Sequence, residues 1–470
     1  MKSSKILMLF GAAAIAACDI GGIQMAGIDG GGEQAPAAIT VVSHGTITGF
    51  GSAIVNGVRF DLGSAAITID GNPGTESDLK VGQVVTIRGT LDDGGSTGSA
   101  NTLDFDDVVE GPITSIDQAA EALTVLGQTV LVDESTSFGD SISLADLNVG
   151  DVVEVTGFFL ADGSISATRI EQKAVGDEFE VTGIVRDVSA TTFEINELVV
   201  NYSAAMLEDF PGGALENGQL VEAKGAALAE SGELLATVVE FKGNDLVGDD
   251  GDRFEVEGFI TRFVSAADFD VEGLPVTTNA QTVFEFGTSA DLALNRKVEV
   301  EGNLNALGVL TADKIEIKQA GFIRIESLVE DVQTDQLTVL GIVVNVNVST
   351  RIEDKSSADL QPFSLADINV GDHVELRGFE DSIGIVATRV EREDPNGEVE
   401  LRGFVETANN PEFVILGVTI QTNGSTVFRD ENELQITAND FFTQTLTRLV
   451  EAEGTLSNGM IIADEVELED

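Results

Sequence analysis

The sequence predicts an all-β protein built as a tandem array of about six small five-stranded β-barrels. One strand pattern, closed by a glycine, returns six times along the 470 residues. The composition agrees, because 51 Gly but only 8 Pro accompany many Val, Ile and Thr residues. Frequent glycine with β-branched residues suits short strands joined by tight turns. Apolar residues make up 43% of the chain, which is enough to form cores.

The repeats are read from a string that begins with Val-Gly and ends with Gly. VGDVVEVTG at 149–157 returns as VGDHVELRG at 370–378 and as VGQVVTIRG at 81–89, and three weaker copies follow the same pattern. The closing glycines are 68 to 77 residues apart: Gly89, Gly157, Gly225, Gly302, Gly378 and Gly454. This spacing predicts six repeats, at 41–110, 111–175, 176–245, 252–320, 321–394 and 396–470.

Each repeat shows the same order of predicted elements. An opening strand is followed by two strand-like runs around a glycine, as in LTVLGQTV at 123–130, which indicates a hairpin turn or a bulge. A short helical or irregular connector precedes the fourth strand, and Ser143 or Ser364 is predicted to cap one turn of it, with Leu147 or Ile368 facing inward. The last strand alternates apolar and polar residues, so one of its faces is buried.

Five strands with a connector between the third and the fourth follow the order of an OB-fold. A chain of small β-sandwiches is the alternative, and a solenoid is less favoured because its repeats are shorter. The V-G-D-x-V-E-V-x-G and A-T-R-I-E strings resemble a bacterial repeat family, domain of unknown function 5666, found in predicted envelope lipoproteins. The resemblance covers roughly residues 41 to 470, and it implies an architecture and a location but no activity.

The N-terminus predicts export. Lys2 and Lys5 precede an apolar run at 6–17 that is too short to span a bilayer but suits a signal peptide. The run ends in Ile-Ala-Ala-Cys, which resembles the bacterial lipobox and implies that Cys18 is acylated and becomes the first residue after cleavage. Residues 1–18 are therefore predicted to be a lipoprotein signal peptide with its lipobox.

Residues 19–40 are predicted to be a Gly-rich tether between this lipid and the first repeat. Asp19 resembles the signal that retains enterobacterial lipoproteins in the inner membrane, a rule that varies between bacteria. We therefore expect an exported, lipid-anchored protein of the bacterial cell envelope, facing the periplasm or the surface, and leave the choice of membrane open.

The charge of the chain argues against nucleic acid as a partner. Asp and Glu number 81 against 25 Lys and Arg, which gives a net charge of -56. Affinity for nucleic acids comes largely from Lys and Arg that displace counterions from phosphates. The expected contacts are instead the membrane, through the N-terminal lipid, and an envelope protein or polysaccharide.

The sequence contains no recognisable catalytic site. The two histidines are His44 and His373, and Cys18 is the only cysteine, so a Cys/His zinc site is excluded. His373 takes the place that Val152 has in the second repeat, which indicates a strand position. The string at 94–98 matches the G-x-S-x-G nucleophile elbow, but it lies in a Gly-rich loop between two strands. We therefore predict that the protein is not an enzyme.

Two functions fit these features. The first is a structural role, or an interaction with a protein or polymer, in which short links such as 391–398 hold the barrels in a semi-rigid rod. The alternative is a ligand-binding or cation-binding envelope protein.

An acidic stretch between the third and fourth repeats is a candidate Ca²⁺ site. Its sequence DLVGDDGDRFE places five carboxylates near glycines, which let a short loop wrap around an ion: Asp245, Asp249, Asp250, Asp252 and Glu255. The alternative is a solvated acidic linker. No other cofactor is predicted.

Overall fold

Short β-strands form almost all of the regular structure. The computed structural model describes residues 39–469, apart from 51, 140–141, 175–177, 244–245, 247, 249–250, 320 and 382. Within these described residues there is one α-helix, α1 (Ala438–Gln444), and no helix is long and apolar enough to cross a membrane.

The strands follow the repeats in chain order. Repeat 1 contains β1 (Ile39–Gly49), β2 (Ala53–Val55), β3 (Val58–Asp61), β4 (Ala66–Ile69), β5 (Asn72–Pro73), β6 (Val84–Leu91) and β7 (Thr97–Phe105). Repeat 2 contains β8 (Val109–Asp117), β9 (Ala122–Val125), β10 (Gln128–Leu131), β11 (Ser137–Phe138), β12 (Val152–Phe159) and β13 (Ile165–Lys173). Repeat 3 contains β14 (Phe179–Arg186), β15 (Thr192–Ile195), β16 (Leu198–Asn201), β17 (Met206–Glu208), β18 (Leu220–Gly225), β19 (Leu234–Leu235) and β20 (Val238–Phe241).

The second half continues the pattern. Repeat 4 contains β21 (Arg253–Ser265), β22 (Asp268–Val271), β23 (Leu274–Thr277), β24 (Val283–Glu285), β25 (Lys297–Leu304) and β26 (Leu310–Ile317). Repeat 5 contains β27 (Ile323–Val332), β28 (Gln336–Val339), β29 (Ile342–Asn345), β30 (Arg351–Asp354), β31 (His373–Asp381) and β32 (Gly384–Glu393). Repeat 6 contains β33 (Val399–Asn409), β34 (Glu412–Ile415), β35 (Val418–Gln421), β36 (Val427–Arg429), β37 (Leu449–Ser457) and β38 (Met460–Leu468).

Five of the six repeats, in the part of the chain that the structure describes, close into a barrel in the same strand order. In repeat 2, β8 pairs with β9, β9 with β10, β10 runs parallel to β13, β13 pairs with β12, and β12 returns to β8. Repeats 1, 4, 5 and 6 form the same ring. In repeat 3 the last strand is divided into β19 and β20. The predicted all-β array of OB-like barrels is confirmed.

The closing glycines mark a bulge where the last strand approaches the fourth. A Cβ at Gly157 would lie 2.2 Å from the carbonyl oxygen of Ser166, and one at Gly378 would lie 2.3 Å from that of Val386. The strand register shifts at both positions. Because glycine alone tolerates so close a backbone approach, the glycine spacing in the sequence reflects one backbone contact repeated six times.

The connector before the fourth strand is a short 3₁₀ turn in four repeats, at Glu76–Asp78, Leu144–Asp146, Pro211–Gly213 and Leu365–Asp367. Ser143 and Ser364 cap two of these turns, and Leu147 and Ile368 are buried as predicted. The connector also holds a short strand that the sequence did not predict. In repeat 2 this strand is β11, which runs parallel to β13 and extends the barrel wall.

The repeats associate in pairs through their first strands. β8 pairs antiparallel with β14, and β27 pairs antiparallel with β33, so repeat 2 joins repeat 3 and repeat 5 joins repeat 6. β1 runs parallel to β21, which joins repeat 1 to repeat 4. One apolar cluster spans repeats 2 and 3, and another spans repeats 5 and 6.

Contacts between repeats that are distant in sequence gather the barrels together. Thr48 Oγ1 donates to the carbonyl oxygen of Val348 at 3.1 Å, and Arg389 Nη1 donates to that of Thr136 at 2.9 Å. Residues Ala38–Asp470 form a single compact unit. The rod predicted from the short links is therefore wrong, because the chain folds back and the first strands pair between repeats.

Candidate binding cavity and buried charge at the junctions of the repeats

A row of glutamates crosses each antiparallel junction. We call the junction of β8 with β14 the 2–3 seam and that of β27 with β33 the 5–6 seam. At the 2–3 seam, four glutamates lie directly opposite one another on adjacent strands, in the order Glu171, Glu154, Glu110 and Glu180. Their counterparts at the 5–6 seam are Glu391, Glu375, Glu326 and Glu400. Like charges directly opposite each other destabilise a sheet, so each row needs compensating cations.

At the 5–6 seam an arginine row lies beside the glutamates. On each strand the arginine is two residues away from the glutamate. The arginines lie directly opposite one another on adjacent strands, in the order Arg389, Arg377, Arg324 and Arg402. Arg324 is central, since its Nη2 lies 2.7 Å from Glu375 and its Nη1 lies 2.7 Å from Glu400. Glu375 is thus held by short, charge-assisted hydrogen bonds from Arg324 and Arg377, and Glu400 forms an ion pair with Arg324.

A loop of repeat 2 docks onto the arginine row. Arg389 Nη1 donates to the carbonyl oxygens of Glu134 and Thr136, at 3.1 and 2.9 Å. The Glu134 carboxylate forms an ion pair with Arg402 and lies 3.5 Å from Arg377. The arginine row therefore serves both its own seam and the contact between repeats 2 and 5.

Beside this contact lies a cavity of about 550 Å³ lined by repeats 1, 2, 4, 5 and 6. Ligand sites typically enclose ~300–1,000 Å³ and favour interfaces between domains. The lining holds six of the 81 acidic residues but seven of the 25 basic residues, namely Arg296, Lys297, Lys318, Arg351, Arg377, Arg389 and Arg402. Basic residues are therefore concentrated here against the charge of the whole chain.

The cavity lining includes two arginines whose Nε–H donors are buried. The Nε atoms of Arg389 and Arg402 are buried, and neither has a hydrogen-bond partner among the described residues. Aromatic rings line the same space, and Phe286 meets Phe379 edge to face with ring centroids 5.5 Å apart. This combination suits a small molecule that carries an anionic group and an apolar face.

Both histidines lie in strands, and the strand position of His373 was predicted from the sequence. His373 lies in β31 and is 2% exposed, with Nε2 3.8 Å from Glu326 Oε1. With Glu393 these two residues form a group whose candidate ligand atoms all lie within 4.8 Å of one another. His44 lies in β1 with Nδ1 3.0 Å from Thr86 Oγ1, and burial lowers the pKa of His44 to about 4.

The sequence-predicted site residues fall largely outside the described part of the chain. Cys18, Asp245, Asp249 and Asp250 all lie there. Asp252 directly precedes β21, and Glu255 lies within β21, where it is buried with Oε1 3.3 Å from Arg253 Nε. The predicted lipidation and the predicted Ca²⁺ stretch at 245–255 therefore stay predictions.

Sequence reasoning missed the arginine row and the cavity. One signal was present, because VELRG and ATRVE place Arg377 and Arg389 on alternating positions of neighbouring strands. The second repeat has Thr156 in place of Arg377, which obscured the pattern. The pairing of β27 with β33, which adds Arg402, joins different repeats and leaves no local mark in the sequence.

The geometry defines a protein of tandem OB-like β-barrels with polar junctions. A family model described as "Domain of unknown function (DUF5666)" matches residues 41–97, 110–171, 182–240, 257–316, 324–391 and 402–467. The chain belongs to this family, which confirms the resemblance seen in its sequence.

Two further comparisons add little. No curated protein matches the chain. Among solved structures, the chain is similar to a Drosophila protein described as "drosophila Unr CSD456", with 14% identity over 45% of this chain and 97% of the other. The TM-score is 0.12, a value too low to support any conclusion.

Proposed function

We propose that this protein is an exported, lipid-anchored envelope protein that binds a small anionic ligand in the cavity between its repeats and does not catalyse a reaction. The observation that carries the proposal is the pair of buried, unpartnered Nε–H donors of Arg389 and Arg402 in the cavity lining among the described residues. Each guanidinium already pairs with a carboxylate, and an anion in the cavity would add charge-assisted hydrogen bonds to the arginines that line it. Of the functions predicted from the sequence, ligand binding is therefore favoured over a purely structural role.

The proposed ligand class follows from the lining. Guanidinium groups select carboxylate or phosphate, while Phe286, Phe322 and Phe379 offer apolar faces. An acidic sugar combines both features. The acidic exterior slows the approach of anions at low ionic strength, so binding is best measured near 0.15 M salt, where the Debye length is ~8 Å.

The test is calorimetric titration of the full mature chain with glucuronate, with inorganic phosphate and with neutral glucose. We expect saturable 1:1 heat with glucuronate, a weaker signal with phosphate and none with glucose. Arg296 lines the cavity and is otherwise exposed, so Arg296→Gln should lower the affinity about tenfold without unfolding the protein.

The matched control is Arg186→Gln, which removes an exposed arginine of repeat 3 that does not line the cavity. It should bind like the wild type. Equal losses in the two variants would show a non-specific charge effect and contradict the proposal. So would the absence of saturable heat with glucuronate and phosphate, combined with native mass spectrometry that finds no small anion on protein purified from its own envelope.

The proposed anchor rests on the signal-peptide pattern and Cys18. Cys18→Ser should move the protein from the membrane fraction to soluble fractions, because the lipid is the proposed membrane attachment. Fractionation with mass analysis of the N-terminal peptide provides the measurement. Unchanged membrane association without an acyl mass would contradict anchoring and leave the cavity proposal unaffected.

A further inference from the structure

Asp107 lies buried at the junction of repeats 1, 2 and 3. It occupies the link between β7 and β8 and is 3% exposed. Neither of its carboxylate oxygens has a hydrogen-bond partner in the described part of the chain. A charged group in this position is costly unless a cation compensates it.

Four further carboxylates converge on Asp107 from three repeats. Oxygens of Asp70, Asp107 and Glu180 lie within 4.8 Å of one another, and so do those of Asp107, Glu110 and Glu154. Asp70 belongs to repeat 1, Glu110 and Glu154 to repeat 2, and Glu180 to repeat 3. Ca²⁺–oxygen distances of about 2.4 Å place opposite ligands about 4.8 Å apart, so both triads have a suitable size.

Lysines offset only part of this charge. Lys173 Nζ lies 2.5 Å from Glu154, and Lys224 Nζ lies 2.7 Å from Glu180. Each of these ammonium groups pairs with a glutamate, whereas Asp107 itself has no such partner among the described residues. Burial and the neighbouring Glu180 and Glu154 raise the pKa of Asp107 well above its usual range, because both disfavour its charged form.

The 5–6 seam shows what this position requires. There the matching glutamates surround Arg324, which pairs with Glu375 and Glu400. Arg324 lies two positions before Glu326. The residue two positions before Glu110 in the 2–3 seam is Val108, which therefore corresponds to Arg324. The 2–3 seam thus keeps the glutamate row, has Val108 at the position of the central arginine and adds Asp107.

We propose that a hard divalent cation, with Ca²⁺ as the best fit, binds at Asp107 between Asp70, Glu180, Glu110 and Glu154 and ties repeats 1, 2 and 3 together. All five candidate ligands are carboxylates, and oxygen ligands select Ca²⁺ or Mg²⁺ over softer metals. Ca²⁺ accepts irregular geometry and six to eight oxygens, whereas Mg²⁺ demands near-octahedral sites. None of these five carboxylates lines the anion cavity, so the two proposals are tested independently.

The test is calorimetric titration of the chelator-treated full mature chain with CaCl₂ and, in parallel, with MgCl₂. We expect saturable Ca²⁺ binding, at least tenfold weaker Mg²⁺ binding and a rise in Tm of a few degrees at saturating Ca²⁺. Asp107→Asn keeps the side-chain volume and should abolish this binding. Glu180→Gln should weaken it at least tenfold.

The matched control is Glu375→Gln, because Glu375 lies in the corresponding glutamate row of the 5–6 seam and is held by Arg324 and Arg377. It should bind Ca²⁺ like the wild type. If circular dichroism shows that Asp107→Asn does not fold, the Ca²⁺ affinity of Glu180→Gln and the metal content of the wild type test the proposed site instead. The proposal is overturned if the wild type gives no saturable heat at millimolar Ca²⁺, which would mark Asp107 as a buried neutral acid. It is equally overturned if Glu180→Gln and Glu375→Gln bind Ca²⁺ alike, since the ion would then lie elsewhere.

Discussion

The 2–3 and 5–6 seams have the same backbone but different charges. In both, three strands place glutamates side by side: Glu154, Glu110 and Glu180 in one, and Glu375, Glu326 and Glu400 in the other. The row two residues away holds four arginines at the 5–6 seam. At the 2–3 seam the same positions are Arg169, Thr156, Val108 and Thr182.

The comparison separates a feature that the fold imposes, the row of glutamates, from one that differs between the two pairs of repeats, the groups that compensate their charge. Pairing of first strands in this register brings the glutamates together whatever surrounds them. How their charge is compensated then varies, by guanidinium groups at the 5–6 seam and, in our proposal, by lysines and a cation at the 2–3 seam. The arginine row also gives the 5–6 seam a second role, because it receives the repeat 2 loop at Glu134.

The largest effect is expected from Arg324→Met. This change leaves Glu326, Glu375 and Glu400 buried without their shared cation, and breaking a buried ion pair typically costs about 3–5 kcal/mol. The unfolding transition, followed by calorimetry and urea titration, measures the loss. Arg262→Met is the control, because it removes an exposed pair with Asp268 and should cost less than about 1 kcal/mol. Similar losses in the two variants would mean that Arg324 does not compensate the seam.

A smaller effect of opposite sign is expected from Val108→Arg, which gives the 2–3 seam the residue of its counterpart. If a guanidinium replaces the proposed cation, stability in chelator should rise by about 1–2 kcal/mol and the Ca²⁺-dependent rise in Tm should disappear. Val108→Met controls for side-chain size. Destabilisation by Val108→Arg with an unchanged Ca²⁺ response would show that the two seams are not equivalent.

The smallest effect concerns pH. Burial raises the pKa of Glu180 to about 7, although Lys224 opposes the shift. The folded protein then keeps a proton that the unfolded chain releases above about pH 4.5, so stability falls as pH rises towards 7 and beyond. In chelator we expect stability to fall between pH 5 and 8, and the fall to be smaller in Glu180→Gln and smaller with Ca²⁺.

Glu375 provides the contrast in the same experiment. Burial raises its pKa, but Arg377 and Arg324 outweigh burial and lower the pKa of Glu375 to about 2. Its stabilising effect is therefore present above about pH 4.5 and lost only as pH falls towards 2. Calorimetry of wild type and Glu375→Gln should differ equally at pH 5 and pH 8. A difference that grows across this range would contradict the assignment.

Much of the barrel was predictable from the sequence because its determinants are local. Gly157 and Gly378 mark the bulge of the fourth strand, and the Leu-Gly pairs at Gly127 and Gly341 form hairpin turns with positive φ at both residues. The short strand β11 was missed because two residues carry no periodic signal. The candidate sites were missed because they join residues of different repeats.

By itself the sequence determined the number of repeats, the all-β barrel and the places where glycine is obligatory, since these follow from backbone geometry within one repeat of about 70 residues. The tertiary structure decided which repeats pair, and with that the seams, the cavity and the surroundings of Asp107. Glu110 and Glu180 are 70 positions apart and become neighbours only when β8 pairs with β14. Such a contact depends on the register between separate barrels, which balances many small packing and charge terms over the whole interface. No short stretch of sequence encodes these interface energies. The fold of each repeat could therefore be predicted, whereas the repeat with which it pairs could not.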